Sequence, residues 1–209
     1  WVVEARERLG QLQRQGFPEV DEILALLSPP VIVIGAGQAL DAATNGEQVF
    51  PPALEKVVER AIQERLDELG AHIGYSSAGA GTELLFVEAL IEREAEVHLV
   101  LPCAAEDFVR ERVAYAGQSW VRRFRQALKL ASSVTYATEE AYLGHDWLFR
   151  FNNQIIDGLA RLRAELLGTH PYLLGFDQLE RLAERAAKGA EGYPPYNVEQ
   201  IGRTGVRLS

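Results

Sequence analysis

The chain of 209 residues has no methionine and one cysteine, Cys103. A single thiol cannot close an internal disulfide, and it excludes a multi-cysteine metal site. Basic residues are few: 21 Lys and Arg stand against 30 Asp and Glu, a formal charge of −9. Non-specific nucleic-acid binding rests on neutralising many phosphates, so no nucleic-acid partner is expected; a small basic pocket for one anion is still allowed. No apolar run reaches membrane-spanning length and no signal peptide is visible, so the expectation is a cytoplasmic protein with no membrane partner. The four histidines, His72, His98, His145 and His170, are too scattered for a metal pattern, and no metal or cofactor is expected. Ser76, Ser77 and Cys103 have no identifiable base beside them, which leaves covalent catalysis unsupported.

What is present is ordinary in amount: 47% apolar and 24% charged residues, enough for one sizeable core. The chain opens at Trp1, and Gly205-Val206-Arg207-Leu208-Ser209 reads like a strand cut short. A fragment or an assembled sequence is expected.

Residues 1–27 carry helical spacing in two segments, Val2, Ala5, Leu9, Leu12 and then Val20, Ile23, Leu24, Leu27, split by Gly16-Phe17-Pro18. A helical hairpin fits, and it suits the end of a repeat array. Val31-Ile32-Val33-Ile34 is a β-branched run typical of a strand buried on both faces. Pro51-Pro52 opens a helix whose stripe runs from Leu54 to Leu69 and stops at Gly70. Further strands are predicted at 72–75, 96–102, 133–137 and 171–175, and helices at 83–94, 106–115, 119–130 and 147–167. Alternation of this kind implies a mostly parallel sheet with helices on both faces, with ligands bound at the carboxyl ends of the strands. From Phe176 the pattern changes: Leu179, Leu182, Ala183 and Ala186 mark a short helix, a Gly/Pro-rich linker follows, and the last residues read as β.

Two glycine turns fall at predicted strand ends, Gly35-Ala36-Gly37-Gln38 and the run Ser76-Ser77-Ala78-Gly79-Ala80-Gly81-Thr82. A small-residue loop feeding a helix lets backbone N–H groups approach an anion, and the helix dipole favours negative charge there. The second turn, with N–H groups of Gly79 to Thr82, is therefore the expected phosphate cradle. Glu83 in the first helical turn either stabilises the helix end or meets a ligand sugar or base. Glu88 lies among Leu84, Leu85, Phe86, Val87, Ala89, Leu90 and Ile91, and a carboxylate in that setting needs a partner. A structural ion pair with an arginine is favoured over a pocket acid, because the position is a turn below the loop. Asp41 stabilises its turn or bonds a ribose hydroxyl. Arg110, Arg112, Arg122, Arg123 and Arg125 are the main basic concentration, and Arg110 or Arg123 is expected to pair with a phosphate.

Several stretches in order carry a family resemblance: Gly37-Gln38-Ala39-Leu40-Asp41, Phe50-Pro51-Pro52, residues 74–89, Val100-Leu101-Pro102 with Glu106-Asp107-Phe108-Val109, Trp120-Val121-Arg122-Arg123-Phe124, residues 137–144 and residues 152–166. Over residues 29–174 the chain resembles the SLOG superfamily, the Rossmann-like group that joins DNA-processing protein A and the lonely-guy phosphoribohydrolases. The branch it resembles stands beside tetratricopeptide-type repeats and nucleotide-cyclase domains in bacterial signalling proteins. The resemblance implies a sensor that binds a nucleotide or nucleotide-derived molecule and acts on a neighbouring effector domain. Implied ligand residues are Gly35, Gly37, Gln38, Asp41, Ser76, Ser77, Gly79, Gly81, Thr82 and Glu83. The chain departs from the branch at Ala36-Gly37-Gln38, where Ser-Gly-His is usual, and at Gly81-Thr82-Glu83, where Gly-Ala-Asp is usual. Hydrolytic lonely-guy enzymes carry an acid where this chain has Leu85, so N-glycosidic hydrolysis is the runner-up, with Glu83 or Glu88 as the substitute acid. A protein-interaction module with an empty cradle is the third reading.

Residues 171–209, with Tyr193-Pro194-Pro195-Tyr196-Asn197-Val198-Glu199, resemble the N-terminal part of a bacterial small heat-shock protein. The tail reads as a fusion or as an artefact of sequence assembly. The expected organisation is a helical hairpin over 1–28, a nucleotide-binding α/β domain of three Rossmann-like layers over 29–175, and an incomplete short helix and partial β tail over 176–209. An unpaired strand edge in that tail makes self-association of the chain an expectation.

Overall fold

The computed structural model describes residues 2–37, 39, 50–142, 144–145 and 147–175, and the backbone of 198–200. Two short helices, α1 (Val2–Arg14) and α2 (Val20–Leu26), precede the first strand, β1 (Val31–Ala36). A 3-10 turn at Pro52–Leu54 leads into α3 (Glu55–Leu69), and Gly70 closes that helix in the left-handed conformation that a glycine adopts without steric cost. Then follow β2 (Ala71–Ser76), α4 (Thr82–Glu92), β3 (Glu96–Leu101), α5 (Ala105–Arg112), α6 (Gln118–Leu130) and β4 (Ser133–Tyr136). The long α7 (Trp147–Leu167) returns to β5 (Pro171–Gly175), and β6 (Val198–Gln200) pairs antiparallel with β5.

The sheet order is β4-β3-β2-β1-β5-β6, with β1 to β5 all parallel. This is the α/β architecture that the alternation of elements predicts. Crossovers between parallel strands are right-handed. Three successive steps in one direction, from β1 to β4, therefore place α3, α4 and α6 on one face. The return step from β4 to β5 places α7 on the other.

The two cores follow this division. On one face Val33, Val97, Leu99 and Leu101 of the strands meet Val58, Ile62 and Leu66 of α3, Phe86 and Leu90 of α4, and Phe124 of α6. On the other, Ile32, Ile34, Ile73, Tyr75 and Val100 meet Ile156, Ala160 and Ala164 of α7. The period-2 alternation of strand side chains makes this split. Ala160 and Ala164, the small residues of the row, let the second half of α7 lie close to the sheet.

Helix α4 is the central element. It is buried on nearly every side, which is why its sequence is apolar all round instead of striped. It sits so close to the sheet that a Cβ on Gly35 would lie 2.3 Å from Phe86 Cδ1, and one on Gly74 would lie 2.0 Å from Leu90 Cδ1. Those two glycines are therefore packing requirements.

Helix α1 docks on the carboxyl end of α7. Arg6 donates to the carbonyls of Leu167 and Gly168, at 3.0 and 3.2 Å, satisfying acceptors that a helix end leaves open. Among the described residues no helix is long and apolar enough to cross a membrane. The short helix expected near Leu179 lies outside the described residues, as do Gln38 and Asp41.

One local difference from the sequence expectation matters for function. The helix expected over 106–115 ends at Arg112, turns at Val113 and resumes as a 3-10 turn at Ala114–Ala116. The Arg112 carbonyl does not continue the helical ladder. It accepts the N–H of Ala80 at 2.9 Å, and Ala116 bonds Val113 in its place.

Candidate ligand-binding cleft

A cleft of roughly 200 Å³ opens at the carboxyl ends of the strands, between the loop after β1, the loop after β2, helix α5 and the start of α7. Pockets that enclose a drug-sized ligand run to about 300–1,000 Å³, so this space suits a sugar-phosphate-sized portion of a ligand. Its walls include Gly37, Ser77, Gly79, Glu83, Phe108, Arg112, Phe149 and Asn152.

The loop from Ser77 to Gly81 is held rigidly. Ala80 donates to the Arg112 carbonyl, and its own carbonyl accepts the Tyr115 hydroxyl at 3.1 Å. Gly81 has φ 128, a conformation closed to side chains, and bridges Ala39 across the cleft floor. Ala78 holds φ 63 although it carries a Cβ, a strained backbone that the surrounding packing sustains.

Glu83 lies at the base of this loop. Its Oε2 accepts the Ser77 hydroxyl at 2.5 Å and the Gly79 N–H at 3.0 Å. Burial pushes the carboxyl above the usual glutamate range, opposed in turn by the Ser77 bond, the Gly79 bond and the charge of Arg112. The group therefore takes up a proton more readily than a surface glutamate, and the residue lines the cleft.

Arg112 supplies the cation. Its guanidinium carbon is 3.9 Å from the centre of the Phe149 ring, and it makes no salt bridge among the described residues. Phe149 is in turn braced edge-on by Tyr142 at 5.3 Å. On the α7 side Asn152 is 1% exposed and donates from Nδ2 to the Val100 carbonyl at 2.8 Å. Among the described residues no group of three His, Cys, Asp or Glu side chains gathers to hold a metal ion.

The residues singled out in the sequence separate into four groups. Gly37, Ser77, Gly79 and Glu83 line the cleft together. Gly35, Ser76, Gly81 and Thr82 frame it from behind: Gly35 faces Phe86, Ser76 donates to the Gly35 carbonyl at 3.2 Å, and Thr82 is fully buried. Gln38 and Asp41 lie outside the described residues. The remaining charged residues are engaged elsewhere. Arg110 pairs with Asp107 at 2.7 Å and Glu111 at 3.1 Å, on an exposed helix face. Arg123 grips Glu88 through two nitrogens, at 2.7 and 2.5 Å, and Glu55 at 2.6 Å, beside a separate groove. These bonds are an ion pair of Glu88 with an arginine.

Two details differ from the expected cradle. The N–H groups of Gly79 and Ala80 are already bonded, to Glu83 and Arg112 respectively, so two of the four N–H groups assigned to phosphate have partners within the chain. The arginine in the cleft is Arg112, in place of Arg110 or Arg123. Sequence reasoning also passed over Asn152, since one asparagine in a long helix carries no signal of its own. Its place in the row Asn152, Ile156, Ala160, Ala164 was the available clue, because that row faces the sheet.

No family model matches the chain, and no curated protein matches it. Among solved structures the chain is similar to "X-ray structure of DNA processing protein A (DprA) from Streptococcus pneumoniae", at 16% identity and a TM-score of 0.40. The match covers 80% of this chain and 59% of that one.

Proposed function

We propose that the chain is a ligand-binding regulatory domain whose cleft takes a nucleotide or nucleotide-derived anion. The observation that carries this reading is Arg112, a cation with no salt bridge among the described residues, standing in a cleft at the strand carboxyl ends of an acidic chain. Its guanidinium pairs with a phosphate of the ligand, and its stacking on Phe149 keeps the planar fork in position. Glu83 accepts a hydroxyl of the ligand sugar through Oε1, and Ser77 and Gly79 hold that carboxylate still. Phe108 and Phe149 supply the apolar walls. Occupancy changes the preferred contacts of a neighbouring effector domain to the extent that the ligand binds the two states unequally.

A second reading, nucleoside-monophosphate phosphoribohydrolase, is favoured by the raised proton affinity of Glu83, since a protonated carboxyl is what a general acid requires. Leu85, where the lonely-guy pattern has its acid, is buried at 1% exposure and speaks against it.

One screen separates the two. Thermal melting of the full chain with a panel of nucleotides is followed by chromatography of each mixture for free base. A sensor raises the melting temperature through mass action and releases nothing. Free base in the mixture makes the chain an enzyme. No shift with any nucleotide contradicts the proposal.

A further inference from the structure

One polar group in the cleft is left unanswered by the fold. Asn152 Oδ1 is buried and has no hydrogen-bond partner among the described residues. The amide cannot turn to relieve this without losing its bond from Nδ2 to Val100. Buried acceptors are nearly always paired, and leaving one unpaired costs about as much as removing a hydrogen bond. The next residues of the same helical row, Ile156, Ala160 and Ala164, are aliphatic. Only Asn152, the member of the row that reaches the cleft, is polar.

The cleft's remaining groups define what would pair with it. Ser77 spends its hydroxyl on Glu83, Asn152 spends its Nδ2 on Val100, and Arg112 is the cation. Among the described residues this leaves one buried acceptor without a partner, Asn152 Oδ1, and one cationic donor that makes no salt bridge, Arg112.

We infer that Asn152 Oδ1 reads a hydrogen-bond donor on the ligand, so that the cleft selects an anion that also carries an N–H or O–H group. This rests on the cleft being the ligand site proposed above. A nucleotide has two such donors, a ribose hydroxyl and an exocyclic amine of the base. A ligand that places a carbon or an acceptor there keeps Oδ1 buried and unpaired, and the penalty appears as discrimination between close analogues.

The test is titration calorimetry of the full chain with AMP, its 2′-deoxy and 3′-deoxy forms, and the purine riboside monophosphate that lacks the amine. Wild type is compared with Asn152→Leu and Asn152→Asp. Both variants lose the bond to Val100, but only Asn152→Leu loses the acceptor, so their difference isolates the role of Oδ1. One analogue is expected to bind wild type about 10- to 100-fold more weakly than AMP. That ratio collapses in Asn152→Leu and persists in Asn152→Asp. A weak deoxy form identifies a hydroxyl as the donor, and a weak purine riboside identifies the amine. Equal binding of AMP and every analogue by wild type overturns the inference and needs no variant to do so. So does a ratio that is the same in all three proteins. If AMP binds, with weakening by Arg112→Ala, while either of these results holds, the inference fails and the ligand site stands. If no nucleotide binds wild type, both fail.

Discussion

A single carboxylate oxygen, Glu83 Oε2, accepts the Ser77 hydroxyl at 2.5 Å and the Gly79 N–H at 3.0 Å. The loop that was expected to cradle an external anion thus binds an internal one. In the proposed function the ligand meets this carboxylate through its other oxygen, and Arg112, which also lines the cleft, meets the ligand's charge.

Stability should fall with rising pH because of Glu83. The unfolded chain releases this proton near the ordinary glutamate value of 4.5, and the folded chain releases it at higher pH, because burial raises it. Between those values the folded state holds more protons than the unfolded state, so stability declines as pH increases. Glu83→Gln keeps an oxygen for Ser77 and Gly79 and cannot ionise. Its melting temperature is expected to exceed wild type at pH 8, with the gap closing towards pH 4. A gap that does not change with pH contradicts the assignment.

Arg112→Ala should weaken nucleotide binding by about 10- to 100-fold, the worth of a charge-assisted hydrogen bond to phosphate. The bond between the Arg112 carbonyl and the Ala80 N–H belongs to the backbone and survives. The loss of stability comprises the contact with Phe149, about 0.5–1 kcal/mol, together with the charge that offsets the burial of Glu83. Arg112→Lys should fall between, since an ammonium lacks the planar fork. Calorimetry and thermal melting together check both statements.

Arg123→Ala should do the opposite. It strands the Glu88 and Glu55 carboxylates, whose side chains are 26% and 30% exposed, and removes the cation 4.2 Å from the Trp120 ring centre. A loss of about 1–3 kcal/mol in urea unfolding is expected, below the value for a fully buried pair because water still reaches these groups. Nucleotide affinity should stay within about twofold of wild type, well under the 1.4 kcal/mol that a tenfold change represents. Weakened binding in this variant would move the ligand to the groove beside Arg123.

Gly35→Ala tests the seating of α4 on the sheet. The new methyl would meet three atoms of the Phe86 ring between 2.3 and 2.6 Å, and a ring packed at 0% exposure has nowhere to go. Overpacking of this kind costs about 1–3 kcal/mol. The companion change Phe86→Leu should recover part of that loss in a double-mutant cycle, which denaturant unfolding measures.

The strands were legible because their physics is local. Val31 to Ile34 is a β-branched run, and Pro171 to Gly175 is bounded by a helix-ending glycine on one side. Helix α7 was legible over its whole length, from Trp147 to Leu167. The identity of the cleft arginine was not. Arg110 and Arg112 are two residues apart on one helix and so point to nearly opposite sides of it, and the packing of α5 in the fold decides which faces the cleft. That packing includes a long-range bond from the Ala80 N–H to the Arg112 carbonyl, which no window of sequence contains. The same holds for Asn152, whose neighbour Val100 is 52 residues away. Glu88 could be read as half of an ion pair from its apolar surroundings, but its partner among five arginines could not.

The most direct measurement is an amide-resolved NMR titration of the full chain with AMP. The account predicts saturable shifts at Gly37, Ser77, Gly79, Arg112 and Asn152, and none at Glu55, Glu88 and Arg123. Shifts confined to the latter group, or no shift anywhere at millimolar ligand, would contradict it.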